Sequence, residues 1–360
     1  MIKERLAALR ALMEQEKLDA VVVMKEVNLY YFSGFRGDDT TLVITKDQAF
    51  LVTDNRYTEQ AKLQAPDFEL VEQTKGLLKK TAALIQKLGC KQVGFEGGYV
   101  SFNQYTALKG LLDGVTFEKS LDLDALRTIK DAEEIRFIRE ACRIADAAFN
   151  DIVTFMHAGM TEIEIAARLE SVMRQEGSEK PSFDTIVASG LRGSMPHGTA
   201  TDKKLEMGDF VTMDYGAKYQ GYCSDTTRTI VIGQPSDRQR EVYAAVLETQ
   251  EKVLADIAPG KTGKEIDARS RENLHRYDLD QYFGHGLGHS LGLEIHEAVP
   301  RLSQGGNCDA VLEPGMLVSD EPGVYIPGWG GLRIEDTVLV TKDGAERLTK
   351  SSKELTIIDK

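Results

Sequence analysis

One pattern is written twice in this chain, and a duplicated unit restricts the fold more than any other feature. Residues 159–168 read G-M-T-E-I-E-I-A-A-R and residues 260–269 read G-K-T-G-K-E-I-D-A-R, sharing Gly, Thr, Glu, Ile, Ala and Arg at a constant offset. Each copy follows a stretch of helical periodicity, residues 131–155 and 238–257. Each opens with a glycine turn and then a threonine placed to cap a second helix. The similarity resumes downstream. E-M-G-D-F-V-T-M-D over residues 206–214 matches E-P-G-M-L-V-S-D-E over 313–321, and Asp225 falls where Glu335 does. Two copies of helix, helix and β-hairpin predict a domain with a pseudo-twofold axis. Chance likeness between amphipathic segments is the competing reading; it is disfavoured for the helices alone and more so once the strands match.

Each copy carries one carboxylate on each arm of its predicted hairpin. Asp214 ends an apolar strand and Asp225 begins the return, and Glu321 and Glu335 hold those places in the second copy. Opposing residues on paired strands stand about 4.5–5.5 Å apart at Cβ. Carboxylates that close repel unless protonated or bridged by cations. Pseudosymmetry brings the two pairs to one point, where four anions call for at least two positive charges. A pair of divalent ions about 3.5–4 Å apart meets that need and suits hydrolysis. A single Asp or Glu more often caps a turn and faces solvent. Four at equivalent positions of a repeat, beside a Gly/His segment, outweigh that reading.

The Gly/His segment is residues 284–297, G-H-G-L-G-H-S-L-G-L-E-I-H-E, with His285, His289 and His296, half of the six histidines in the chain. Each of its glycines would cost about 1 kcal/mol against alanine inside a helix. They suit a backbone that bends and comes close to something. Asp and Glu with imidazole form a hard-to-borderline ligand set without thiolate, which fits Mn²⁺, Co²⁺ or Zn²⁺. His197, in M-P-H-G, reads by itself as a loop histidine. His157 and His275 fall on predicted helices and read as structural or exposed. Trp329 is the only tryptophan and either lines a pocket mouth or anchors a loop. Asp320 stands where an apolar residue or threonine is expected before Glu321, on the opposite strand face.

The chain has 360 residues, more than one core usually accommodates, so two domains are expected, residues 1–124 and 125–360. The first part alternates strands and helices. Residues 1–17 are an amphipathic helix, 20–24 a buried strand, 42–45 and 49–53 a hairpin, 79–88 a helix and 92–95 a strand. That alternation predicts an α/β layer. The net charge of −13 argues against nucleic acid or an anionic membrane as main partner. Neither a spanning run of about 18 apolar residues nor a signal-peptide pattern is expected to matter here. Cys90, Cys142, Cys223 and Cys308 are widely spaced without a C-x-x-C, and read as reduced thiols of a cytoplasmic protein.

The motifs M-D-Y-G-A with Asp214, Y-C-S-D-T-T-R-T with Asp225, G-H-S-L-G-L-E-I-H-E with His289 and His296, E-P-G-V-Y with Glu321 and R-I-E-D-T with Glu335 closely resemble those of the pita-bread-fold metallopeptidases. That family includes Xaa-Pro aminopeptidase (aminopeptidase P), Xaa-Pro dipeptidase (prolidase) and methionine aminopeptidase. The resemblance covers essentially residues 131–349. The first part resembles, less specifically, the non-catalytic domain of the Xaa-Pro subgroup. The resemblance implies an α+β chain, with an N-terminal α/β creatinase-like domain followed by a pseudo-twofold pita-bread catalytic domain. It implies that Asp214 chelates one metal, that Asp225 and Glu335 bridge both, and that His289 and Glu321 complete the second. Mn²⁺ is the first expectation, with Co²⁺ or Zn²⁺ as alternatives. Glu321 also handles the proton of the nucleophile. His197 faces the substrate near the scissile bond, His285 and His296 stabilise the tetrahedral intermediate, and Tyr325 and Arg333 support the substrate side from behind.

The implied reaction is release of the first residue from peptides with proline second. The alternative is a dipeptidase confined to Xaa-Pro dipeptides. A homodimer is implied as well. A creatinase-like amidinohydrolase shares the fold but not the metals, and the presence of all five ligands disfavours it. A metal-free interaction protein on the same fold would show lost ligands or a basic tail, and neither is seen.

Overall fold

Strands and helices alternate from the start of the computed structural model, which describes residues 1–359. The chain divides into two units, Met1–Arg127 and Thr128–Lys360. In the first unit α1 (Ile2–Gln15) buries Leu6, Leu9 and Met13, the apolar stripe of its sequence. It leads to β1 (Ala20–Val23), α2 (Glu26–Ser33), β2 (Thr41–Thr45) and β3 (Ala49–Thr53). The last two form the expected hairpin, with Ile44 opposite Ala49. Then follow α3 (Thr58–Gln64), β4 (Glu69–Glu72), α4 (Leu77–Lys87), β5 (Gln92–Phe95), α5 (Phe102–Leu111) and β6 (Thr116–Ser120). The sheet order is β4-β3-β2-β1-β5-β6. Its inner strands β1, β2 and β3 are buried and read as continuous apolar runs, whereas the edge strands β4 and β6 are largely exposed and polar. Helix α2 has no amphipathic period to betray it, since five of its eight residues are buried.

The second unit opens with α6 (Ala132–Phe155), capped by Asp131, whose side chain accepts from the N–H groups of Glu133 and Glu134. Helix α7 (Glu162–Gln175) starts at Thr161, with a reciprocal Thr161–Glu164 capping box. The second copy repeats this. Helix α8 (Asp237–Asp256) precedes α9 (Gly263–His275), whose Thr262 and Glu265 form the same box. The turn glycines Gly159 and Gly260 take φ values of +88° and +86°, a conformation glycine adopts without strain. Their N–H groups donate to Leu205 and Leu312 carbonyls at 2.8 and 2.9 Å, another matched pair.

Between α7 and α8 lie β7 (Lys180–Pro181), β8 (Ile186–Ser189), β9 (Phe210–Tyr215), β10 (Ala217–Tyr219), β11 (Tyr222–Cys223) and β12 (Thr226–Ile232). After α9 come β13 (Gly288–Ser290), β14 (Glu297–Leu302), β15 (Leu317–Asp320), β16 (Gly323–Ile326), β17 (Gly330–Arg333), β18 (Asp336–Thr341), β19 (Gly344–Arg347) and β20 (Ile357–Ile358). Strands β9 and β12 pair antiparallel in the first copy, and β15 and β18 in the second. Each copy has its own core. Ile144, Phe149, Ile165, Leu169 and Met213 pack in the first, and Val246, Val253, Ile266, Val318 and Val338 in the second. The copies meet where β12 and β18 begin. Asp225 N–H donates to Thr337 Oγ1 (3.2 Å), while Thr227 Oγ1 donates to Glu335 Oε2 (2.6 Å). This exchange between equivalent residues places the pseudo-twofold axis between the two carboxylates.

Candidate metal centre

Asp214 lies on β9, Asp225 just before β12, Glu321 just after β15 and Glu335 just before β18. The register pairs Asp214 with Thr227 and Tyr215 with Thr226. Asp225 is therefore diagonal to Asp214, not opposite it as the sequence suggested, because the β10–β11 hairpin lengthens the turn. In the second copy Asp320 faces Asp336, and Glu321 and Glu335 continue one step beyond that pair.

His289 enters from β13. Its N–H donates to Ser319 Oγ (3.0 Å), and that hydroxyl donates to Glu321 Oε1 (3.1 Å). One serine thus sets two candidate ligands. The approach of β13 to β15 requires Gly288, where a Cβ would stand 2.0 Å from the Ser319 carbonyl oxygen. Nδ1 of His289 lies 3.2 Å from the Ser290 carbonyl. Its Nε2 is left toward the carboxylates, 3.4 Å from Asp225 Oδ2 and 3.6 Å from Glu321 Oε1.

Asp225, His289 and Glu335 each offer a donor atom, all within 4.8 Å of one another. Asp214 and Glu321 line the same cleft, about 560 Å³ in volume, together with His197, His285 and His296. All eight of those sequence-predicted residues therefore converge. Arg333 lines the cleft too, and Tyr325 stands behind it. Arg333 pairs with Asp214, donates from Nη1 to Tyr325 OH (2.6 Å), and donates from Nε to Thr227 Oγ1 (3.0 Å). Tyr325 OH in turn lies 2.9 Å from His285 Nε2. Reading the sequence did not single out Thr227, Ser319 or Arg301. The first two sat unmarked inside quoted motifs. Arg301 faces His289 across β13–β14 and lines the cleft.

The remaining histidines are elsewhere. His157 is exposed just past the end of α6, not on it, and His275 ends α9, exposed beside Asp280. Trp329 packs edge-on to Phe210 against the second core, so it anchors a loop away from the cleft. The four cysteines are free and buried.

The electrostatics ask for cations. Burial pushes the Asp225 carboxyl well above the usual range, and the negative charges of Asp214 and Glu321 add to this. Glu335 is raised likewise, by burial and then by Asp225 and Glu321. Burial raises Asp214 as well, against the opposing pull of Arg333. Asp214 Oδ1 is buried and accepts no hydrogen bond among the described residues. A buried carboxylate oxygen without a donor costs free energy unless a cation takes the donor's place. Burial lowers the His285 and His296 imidazoles, which favours their neutral forms. The donor set, oxygen-rich with one imidazole nitrogen, fits first-row divalent ions.

A pseudo-twofold α+β scaffold that draws four acids and one imidazole into a cleft defines a metal-dependent hydrolase. Residues 136–342 match the family model described as metallopeptidase family M24, and residues 5–129 match the creatinase/prolidase N-terminal domain. The chain belongs to metallopeptidase family M24, in its pita-bread fold. Its relatives include an Xaa-Pro dipeptidase of Pyrococcus furiosus, 42% identical over 98% of this chain and 100% of that one. Among solved structures, an Xaa-Pro dipeptidase from Bacillus anthracis superposes with a TM-score of 0.95 at 44% identity, covering 99% of this chain and all of its own. An X-Pro aminopeptidase from Thermotoga maritima superposes at 0.90 with 38% identity, covering 95% and 98%.

Proposed function

We propose that this protein hydrolyses the peptide bond preceding proline, releasing the residue N-terminal to it. The observation that carries the reading is the convergence of Asp214, Asp225, His289, Glu321 and Glu335 on one cleft. These five would hold two divalent ions, for which we propose Mn²⁺ on the hardness of the carboxylates. Such ions supply Lewis acidity and acidify a water toward neutral pH. The chain's own residues do the rest. Glu321 Oε1, fixed by Ser319, is placed to take a proton from the attacking water. His197 and His296 stand at the open edge of the cleft, where they orient the carbonyl. His285, expected to steady the oxyanion, is committed elsewhere: its Nδ1–H faces the Gly286 carbonyl (2.7 Å) and its Nε2 accepts from Tyr325 OH (2.9 Å). The neutral ring therefore keeps no N–H for the carbonyl oxygen and instead fixes one wall of the cleft. Arg333 pairs with Asp214 and offsets part of the cost of its charge.

Within the Xaa-Pro class, the aminopeptidase expected from the sequence has a rival. Arg301 stands at the cleft wall as a guanidinium suited to bind a carboxylate. In an Xaa-Pro dipeptide, the carboxylate follows the scissile bond by a single residue. Arg301 and the relatives named Xaa-Pro dipeptidase together support the dipeptidase reading, which we prefer. We further propose a cytosolic homodimer; the free cysteines support the location, and the family resemblance supports the assembly. Assaying Xaa-Pro against Xaa-Pro-Yaa with added Mn²⁺ tests the reading. Rapid turnover of the dipeptide and slow turnover of the tripeptide is expected. The reverse order restores the aminopeptidase, and turnover of neither removes the proline assignment.

A further inference from the structure

Behind the strands that carry Glu321 and Glu335 lies a second set of charges, on the face turned away from the cleft. Asp320 and Asp336 sit opposite one another across β15 and β18. Arg228, Asp320, Gln250, Asp336 and Thr349 are at most 1% exposed. Asp336 accepts from Arg228 Nη2 (2.8 Å), Thr349 Oγ1 (2.7 Å) and Gln250 Nε2 (3.0 Å). The same amide nitrogen reaches Asp320 Oδ2 at 3.1 Å. Lys353 arrives from the segment of residues 349–353. Its Nζ donates to Gln250 Oε1 and lies 3.3 Å from Asp336 Oδ2. Arg228 also donates to the main-chain carbonyl of Glu335.

The two copies differ here. The positions equivalent to Asp320 and Asp336 in the first copy are Met213 and Thr226, both buried. The first copy's hairpin has no carboxylate at either place and instead contributes Arg228, opposite Met213, to the network, so the two rear acids are not a requirement of the hairpin. Buried ion networks are not cheaper than apolar packing, and their best-attested use is to fix one arrangement among several. This one joins both copies to residues 349–353, a segment that Asp146 on α6 also grips by accepting from the Lys350 and Ser351 N–H groups at 2.7 Å. Tyr243 on α8 donates to the Lys353 carbonyl (2.8 Å).

We propose that Lys353, inserted behind the ligand-bearing strands, is a positioning residue for the metal centre, holding Glu321 and Glu335 in place through Gln250, Asp320 and Asp336. Its ammonium and the Arg228 guanidinium are the buried cations on the rear carboxylates, and the partly exposed Arg347 adds Nη1 at 3.9 Å from Asp336 Oδ2. Without Lys353 the rear pair loses one of its two buried cations, and Gln250 Oε1 loses its donor. Asp320 and Asp336 then move apart, and Glu321 and Glu335, each one residue away, move with them. The inference rests on the metal-site reading above.

The test is calorimetric titration of Mn²⁺ into metal-free protein, with thermal unfolding of the metal-free forms in parallel. Wild type, Lys353→Met and the doubly substituted D320N/K353M, which also removes a rear carboxylate, are compared. Lys353→Met is expected to weaken Mn²⁺ binding about 10- to 100-fold, the usual consequence of losing support behind a ligand. The double variant is expected to recover most of the loss. Wild-type Mn²⁺ affinity in Lys353→Met overturns the inference, as does a folded double variant that binds no better than the single one. If Lys353→Met does not fold, the double variant decides: wild-type binding supports the role and weak binding removes it. Failure of wild type itself to bind Mn²⁺ is a different result, and strikes the metal site instead.

Discussion

Asp225 and Glu335 have lost the water that would stabilise their charge, and Arg333 is spent on Asp214. Replacing a ligand and replacing a neighbour of the ligands therefore have different signatures. Asp225→Asn removes an anion from the point where both copies meet. We expect it to lower bound metal, read by elemental analysis, and to reduce kcat by more than the roughly 10- to 100-fold typical of outer residues. Tyr325→Phe deletes the hydroxyl between Arg333 and His285 but no ligand atom. It should keep full metal content and lose about tenfold in kcat. Equal metal loss in both variants would refute that division. Arg301 gives a third signature. If it binds the substrate carboxylate, Arg301→Ala lowers kcat/KM for Xaa-Pro by about 10- to 100-fold, the worth of one charged hydrogen bond. Xaa-Pro-amide, which lacks the carboxylate, should be turned over almost equally by both forms.

At the scale of elements, the duplicated motifs were readable because capping and turn chemistry is local. Thr161 and Thr262 each cap a helix three residues before a glutamate, and the glycines before them need a left-handed backbone. Local rules also marked β2, β3 and β5. What they could not reveal was register. Asp214 and Asp225 look like mirror positions on a hairpin, yet the pairing is set by the inserted β10 and β11 and by contacts from the other copy. Helix α2 stayed hidden because a helix buried on most sides has no amphipathic stripe. Thr227 and Ser319 gain their roles only when distant strands meet. The same limit hid how the His197 loop is held. The turn Gly190–Ser194 lies against β17 with backbone touching backbone, and Arg333 Nη1 reaches the Pro196 carbonyl at 3.4 Å. A Cβ on Gly331 would stand 2.3 Å from the Gly193 carbonyl oxygen and 2.5 Å from that of Val324. Gly331→Ala should thus push the loop and His197 away from the cleft. We expect kcat/KM to fall roughly a hundredfold, as displacements of about 1 Å do, with metal stoichiometry unchanged. Unaltered kinetics would show that the loop tolerates the shift.

For the molecule as a whole, the two faces of the β15–β18 pair behave differently when metal is removed. The rear carboxylates are met by the protein's own Arg228, Lys353 and Arg347, whereas the front carboxylates depend on cations from outside. Chelation should therefore leave the far-UV circular dichroism intact while abolishing activity, and readdition should restore it. The stability change carries a sign. In the metal-free protein Asp225 and Glu335 titrate above their unfolded values. Between the ordinary carboxyl range and those raised values, the folded state holds more protons than the unfolded one. Their contribution to stability consequently falls as pH rises through that window. Metal binding requires the deprotonated forms and displaces those protons, so its stabilisation grows with pH. With free Mn²⁺ at about 100 times its Kd, the gain is about 2.7 kcal/mol. For a unit of this size that corresponds to roughly 5–10 °C in Tm. Scanning calorimetry with and without Mn²⁺ should show that gap at pH 7.5 and a smaller one at pH 5. A gap that is constant or shrinks with rising pH would mean the bound ion does not displace carboxyl protons, and that the four acids are not its ligands.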